Sequence, residues 1–156
     1  MPLPLHLEFY LVKSEVQLHR LSLILKAAII YFALVFGAGF ILGTTRVLFV
    51  VPRFGERVAE LMESPLMLGV TILAARWIVR RFRIPTAFSD RIAVGSVALV
   101  LVIIVEFTIV LWLRGLTLAD YFRARDPLSG TVYYLLLILL AVMPLFVRRK
   151  PVISNY

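Results

Sequence analysis

Hydrophobic positions along the chain gather into four long runs separated by short charged stretches. Ala27 to Thr45 carries no charge, and Val47 to Val51 continues it past Arg46. Ile92 to Leu113 is interrupted only by Glu106, and Leu128 to Val147 carries no charge. A helix needs ~20 apolar residues to cross the hydrocarbon of a bilayer, and these three runs reach that length. The second run is weaker: Pro65 to Ala75 is uncharged, Arg76 precedes Trp77 to Val79, and Arg80 and Arg81 close it. It spans if the long Arg76 side chain snorkels toward head groups. Glu56, Glu60 and Glu63 fall at i, i+4 and i+7, on one face of a helix leading into that run. Ser64-Pro65 suits either an N-cap with proline in the first turn or a kink inside one longer helix; the pattern predicts a kinked helix over about 55–82 that enters the membrane near Met62.

The reading is an all-α, integral membrane four-helix bundle with spans at about 27–50, 62–81, 92–113 and 128–147. Residues 1–26 mix Leu18, Leu21, Ile24 and Leu25 with Lys13, Arg20 and Lys26, which predicts an interfacial amphipathic lead-in. The basic lead-in is long and no small-x-small cleavage site follows the first run at a suitable distance, so that helix is expected to be retained. Residues 149–156 form a basic C-terminal tail. Between the first two spans, Pro52 is expected to end the first helix, Gly55 to take a left-handed backbone, and the charges up to Arg57 to pair along the next turn.

Composition agrees with lipid as part of the solvent. With 62% of 156 residues hydrophobic, the chain has far more apolar surface than a core of this size can bury. Seventeen Lys and Arg against nine Asp and Glu give +8, but the basic residues sit beside the apolar runs instead of forming one stripe with exposed aromatics. They read as topology signals and contacts to anionic lipid head groups, not as a nucleic-acid interface. Four crossings place both termini on one side. That side collects Lys13, Arg20, Lys26, Arg76, Arg80, Arg81, Arg83, Arg91, Arg148, Arg149 and Lys150, eleven against the six on the other side, Arg46, Arg53, Arg57, Arg114, Arg123 and Arg125. Positive residues favour the cytoplasm, so both termini are expected there.

Most chemistries find no residues to carry them. The chain has no cysteine, which removes disulfides and thiolate metal sites. His6 and His19 both precede the first span, so a haem-binding pair within the bundle is missing. No HExxH, phosphate-binding glycine loop or Ser/His/Asp set is present. No catalytic residue, cofactor or metal is therefore expected. The stretch Leu116 to Pro127, with Asp120, Arg123, Arg125 and Asp126, reads as a solvated face, its Tyr121 and Phe122 at head-group level with Trp112.

What remains is charge at membrane depth, which is costly and marks candidate functional sites. Glu106 lies roughly 21 Å along its helix from Ile92, in the outer half of the third span. Arg46 lies at a similar depth in the first span, and Glu60 and Glu63 enter the second from the same side. These four form a candidate intramembrane polar cluster, read either as Arg46 and Glu106 neutralising one another to fix helix register, as a proton- or ion-coupling site, or as interfacial snorkelling. Gly37, Gly39 and Gly43 form a candidate helix-packing stripe, with a small-xxx-small spacing at Gly39 and Gly43. Its partner is either a small face of the same chain, offered by Gly69, Ala74, Gly95 and Ala98, or a second copy.

The segments Gly39 to Leu48 (GFILGTTRVL), Val51 to Arg57 (VPRFGER), Ala59 to Met67 (AELMESPLM) and Ala74 to Trp77 (AARW) resemble a family of small uncharacterised four-span bacterial inner-membrane proteins. The resemblance runs from Lys26 onward over most of the chain. It implies a bacterial inner membrane and no particular activity. Fluoride channels share a glycine-rich first span with an arginine, but their later polar and phenylalanine-bearing motifs are missing; small multidrug exporters place a key glutamate in the first span, where this chain has none. Two functional classes are thus expected, a non-enzymatic accessory or structural membrane component, and a small transporter or channel component using Glu106 and Arg46. The bilayer, a homo-oligomer or another membrane protein are the expected partners.

Overall fold

The computed structural model describes residues 5–114 and 127–147. The stretch with Asp120, Tyr121, Phe122, Arg123, Arg125 and Asp126, the basic tail from Arg148 and the side chain of Trp112 lie outside the described residues. The described chain is helical: α1 (Leu5–Thr45), a π-helical segment (Arg46–Val50), α2 (Val51–Phe54), α3 (Glu56–Arg81), α4 (Phe88–Arg114) and α5 (Pro127–Phe146). Four of its helical stretches, Tyr10–Phe54, Glu56–Arg81, Phe88–Thr108 and Pro127–Phe146, are long and apolar enough to cross a membrane.

Pro52 does not end the first helix. A proline ring collides with the carbonyl four residues earlier, and the backbone avoids this by opening one wide turn just before it. The Val51 N–H bonds five residues back to the Arg46 carbonyl, and the helix then resumes through Phe54. The chain turns at Gly55, whose φ of 78° and ψ of 164° lie in a region open essentially to glycine alone. From Leu5 the amphipathic lead-in is continuous with the first long helix. Helix α3 continues without a break through Pro65 to Arg81, so Pro65 lies inside one longer helix and does not start it.

Helix α1 packs against α3 and α4, and α5 packs against the same two, so α1 and α5 face each other across one diagonal. The consecutive helices α3 and α4 occupy the other diagonal. Their short connection begins with a C-terminal cap: the Ile84 N–H reaches the Val79 carbonyl (3.2 Å), the Arg83 N–H reaches Arg80 (3.4 Å), and Arg83 sits at φ 50°. This is the double bond of a Schellman cap, with Ile84 and Val79 both fully buried as its apolar clasp.

The half of the bundle nearest this connection is tightly packed, with Ala27, Ala28, Tyr31, Ala75, Ile78, Val94 and Ala98 at its centre. Small residues bring the backbones together there. A β-carbon on Gly95 would lie 1.8 Å from the Ala141 carbonyl oxygen and 2.6 Å from its carbon, so α4 and α5 touch backbone to backbone. Gly37, Gly39 and Gly43 make no such approach. A β-carbon on Gly39 would meet the Met67 side chain at 3.3 Å, one on Gly43 would meet Glu63 at 3.9 Å, and one on Gly37 would meet nothing within 4 Å. Within the chain, Met67 and Glu63 side chains face Gly39 and Gly43, and no helix backbone closes on the stripe.

Tyr31 bridges the diagonal. Pro144 lacks the N–H that would normally bond to the Leu140 carbonyl, and the Tyr31 hydroxyl donates to that carbonyl instead (3.2 Å, buried). Two basic residues expected at head groups also hold contacts within the chain, one buried and one exposed. Arg91, 6% exposed, donates to the carbonyls of Pro85 (3.1 Å), Leu145 (3.4 Å) and Val147 (2.5 Å), closing the C-terminal end of α5. Arg20 pairs with the buried Asp90, with Nε and Nη2 lying 2.8 and 2.5 Å from Oδ1.

Candidate functional site

Above Tyr31 the four helices separate around a cavity of about 420 Å³. Its walls come from α1 (Val35 to Gly43), α3 (Glu60 to Thr71), α4 (Val102 to Glu106) and α5 (Ser129 to Leu140), with Arg46 of the π segment at the rim. Leu140 and Val35 form its floor and belong to the packed core. Most of the lining is apolar. The polar groups are concentrated toward the Arg46 end.

Three of the four charged residues anticipated in the cluster meet directly. Arg46 Nη1 lies 3.0 Å from Glu60 Oε1, and Arg46 Nε lies 3.1 Å from Glu63 Oε2, all three side chains being about three-quarters buried or more. The local sequence explains the arrangement. Glu60 and Glu63 are one turn apart on α3 and present both carboxylates to α1. The wide turn that Pro52 imposes begins at Arg46 itself, and Thr44 and Thr45 bond back to the Phe40 and Ile41 carbonyls just before it (2.7 and 2.8 Å). The second contact is ionic without hydrogen-bond alignment, since Nε has no hydrogen-bond partner.

Glu106 lines the same cavity from α4 and accepts a hydrogen bond from the Tyr133 hydroxyl of α5. Arg46 is thus paired with two glutamates of α3, while Glu106, read from the sequence as its neutralising partner, bonds to Tyr133. Ser129 completes the polar set. It is 3% exposed, lines the cavity, and its hydroxyl has no hydrogen-bond partner. A buried hydroxyl without a partner is costly, and one facing a cavity is free to bond to an occupant. Neither Ser129 nor Tyr133 stands out in the sequence, where both fall within an apolar run. Among the described residues no group of three histidines or carboxylates is placed to hold a metal ion.

The chemical character of the site follows from these positions. Glu60 and Glu63 face one guanidinium and Glu106 adds a third carboxylate to the lining, so the carboxylates outnumber the single Arg46 and a proton or a cationic group can complete the balance. Glu106 with Tyr133, and Ser129, add hydrogen-bonding capacity on the opposite wall. The apolar remainder suits a hydrocarbon or aromatic body. Comparison with known proteins supplies no identity: no protein-family model, curated protein or solved structure matches the chain.

Proposed function

We propose that this chain is a non-enzymatic multi-pass component of a bacterial inner membrane, with both termini cytoplasmic, that takes a partly apolar cation into the outer half of its bundle. The cavity carries this reading: it is lined from all four long helices, apolar along its walls, and charged at one end by Arg46, Glu60 and Glu63. The excess of basic residues at the opposite end supports the orientation through the positive-inside rule. Its ligand enters from the outer side and places its positive group beside Glu60.

Glu60→Gln tests the reading without dismantling the site, because the Arg46–Glu63 pair remains and one carboxylate charge beside it is removed. Tetraphenylphosphonium serves as the probe, with the protein in lipid nanodiscs and empty nanodiscs as the background. Saturable one-to-one binding that weakens about tenfold in Glu60→Gln, equivalent to about 1.4 kcal/mol, is expected. Absence of saturable binding to the unaltered protein, or equal binding by the variant, contradicts it.

A second reading, ion- or proton-coupled transport, is favoured by the π segment that carries Arg46, since such wide turns concentrate where helices rearrange or bind. Under that reading, reconstituted vesicles show a proton or cation flux that Glu106→Gln abolishes. No flux in either form leaves the binding role alone.

A further inference from the structure

Residues Leu5 to Ser22 extend α1 beyond the packed half of the bundle, and every described side chain from Tyr10 to Ser22 is exposed. The bundle-facing side of this helix is marked by Arg20, Ile24, Ala27 and Tyr31, at i, i+4, i+7 and i+11: Arg20 holds Asp90 and the other three are buried. A different stripe runs along the extension. Leu7, Leu11, Ser14, Leu18, Leu21 and Leu25 alternate spacings of four and three, the 3.5-residue repeat of a coiled coil, with Leu11, Leu18 and Leu25 at a and Leu7, Ser14 and Leu21 at d. At 3.6 residues per turn this stripe lies roughly a third of a turn from the bundle face. The bundle therefore leaves it uncovered: Leu11, Leu18, Leu21 and Leu25 are 54, 65, 62 and 52% exposed.

We propose that this stripe is the seam of a parallel, in-register two-stranded coiled coil between two copies of the chain. Resting on the membrane reading, two copies in one bilayer share an orientation and a height, so their extensions run parallel and each leucine meets its own counterpart. The residues flanking the seam are compatible with this. In a parallel pair, Tyr10 at g faces Glu15 of the second copy at e, and Gln17 faces Ser22 of the second copy, with no like charges opposed. Ser14, the polar residue within the seam, already donates to the Leu11 carbonyl (2.8 Å), so enclosing it orphans no donor. Confinement to one membrane plane raises the effective concentration of the two copies and offsets the shortness of the seam. Burial of the extension flat in the membrane surface fits less well. Glu8 and Glu15 lie on one face and Lys13 and Arg20 on another, whereas an interfacial helix gathers its charges on a single side.

The absence of native cysteines makes the test direct. Single-cysteine chains carrying Leu11→Cys, Leu18→Cys, Lys13→Cys or Val16→Cys are oxidised in native membranes and resolved on denaturing gels. The two seam positions are expected to give disulfide-linked dimer at least fivefold more than the two positions outside it. Adding Leu18→Glu and Leu21→Glu to the Leu11→Cys chain is expected to cut its dimer at least tenfold while the unfolding temperature of the bundle stays unchanged. Equal yields at all four positions, or no dimer at any, overturn the proposal. Neither result bears on cation binding, so failure here and failure of the cavity reading are separable.

Discussion

Replacing Gly95 by alanine adds one methyl group at the tightest crossing in the bundle. That methyl would sit 1.8 Å from the Ala141 carbonyl oxygen and 3.0 Å from the Ala141 Cα, where ordinary contact begins near 3.4 Å. No side chain can swing aside, because the obstacle is backbone. Helices α4 and α5 must part by roughly 1.5 Å, which loosens Val94, Ala98 and Leu140 around them; overpacking of this kind costs about 3 kcal/mol. Gly37→Ala is the matched control. It sits in α1 with nothing within 4 Å of the added carbon, and alanine's helix preference stabilises it by up to about 1 kcal/mol. Unfolding of both variants in one detergent, followed by circular dichroism, should show opposite signs separated by about 3–4 kcal/mol. If Gly95→Ala unfolds no more easily than Gly37→Ala, the backbone contact between α4 and α5 is refuted.

Tyr31→Phe removes the donor that satisfies the Leu140 carbonyl and is expected to cost about 1 kcal/mol. In a Pro144→Ala background the restored N–H bonds to that carbonyl, so the same substitution should cost measurably less, a coupling that a double-mutant cycle in detergent reads. Arg46→Leu strands the Glu60 and Glu63 carboxylates and should lower the membrane level of the protein through a loss of roughly 2–3 kcal/mol; adding Glu60→Gln and Glu63→Gln should recover most of it on an immunoblot of membrane fractions. Arg83→Gly relieves a left-handed backbone at the cap of α3 and should raise stability by about 1 kcal/mol, seen as a higher unfolding temperature.

The four long helices are legible in the sequence as apolar runs long enough to cross a bilayer, the second less plainly because Arg76 interrupts it. Helix ends are less legible. Pro52 reads as a stop, yet one wide turn at Arg46 absorbs it and lets the first helix run on to Phe54. The polar cluster is visible from depth alone, since Arg46, Glu60, Glu63 and Glu106 fall at one level along their helices. Which carboxylates reach Arg46 depends on the rotation of each helix about its axis, and sequence spacing fixes that only within α3, where Glu60 and Glu63 share a face. Tyr133 and Ser129 escape notice because each is one polar atom within an apolar run. Within one chain the closest backbone approach is at Gly95, against Ala141, and not along the glycine stripe of α1. Asp90 and Arg91 resemble ordinary loop charges until the fold encloses them, Asp90 paired with the exposed Arg20 of α1.

The central claim is that the charged half of the bundle is open to a ligand from the outer side while the other half is closed. Ser64 lines the cavity beside Glu60 and Glu63, and Ala98 lies fully buried in the packed half. Single-cysteine chains carrying Ser64→Cys or Ala98→Cys, in intact cells, are exposed to a small membrane-impermeant thiosulfonate with and without tetraphenylphosphonium. Rapid modification of Ser64→Cys, slowed by the cation, with none at Ala98→Cys, is the predicted result. An unreactive Ser64→Cys, or one that the cation does not protect, contradicts the account.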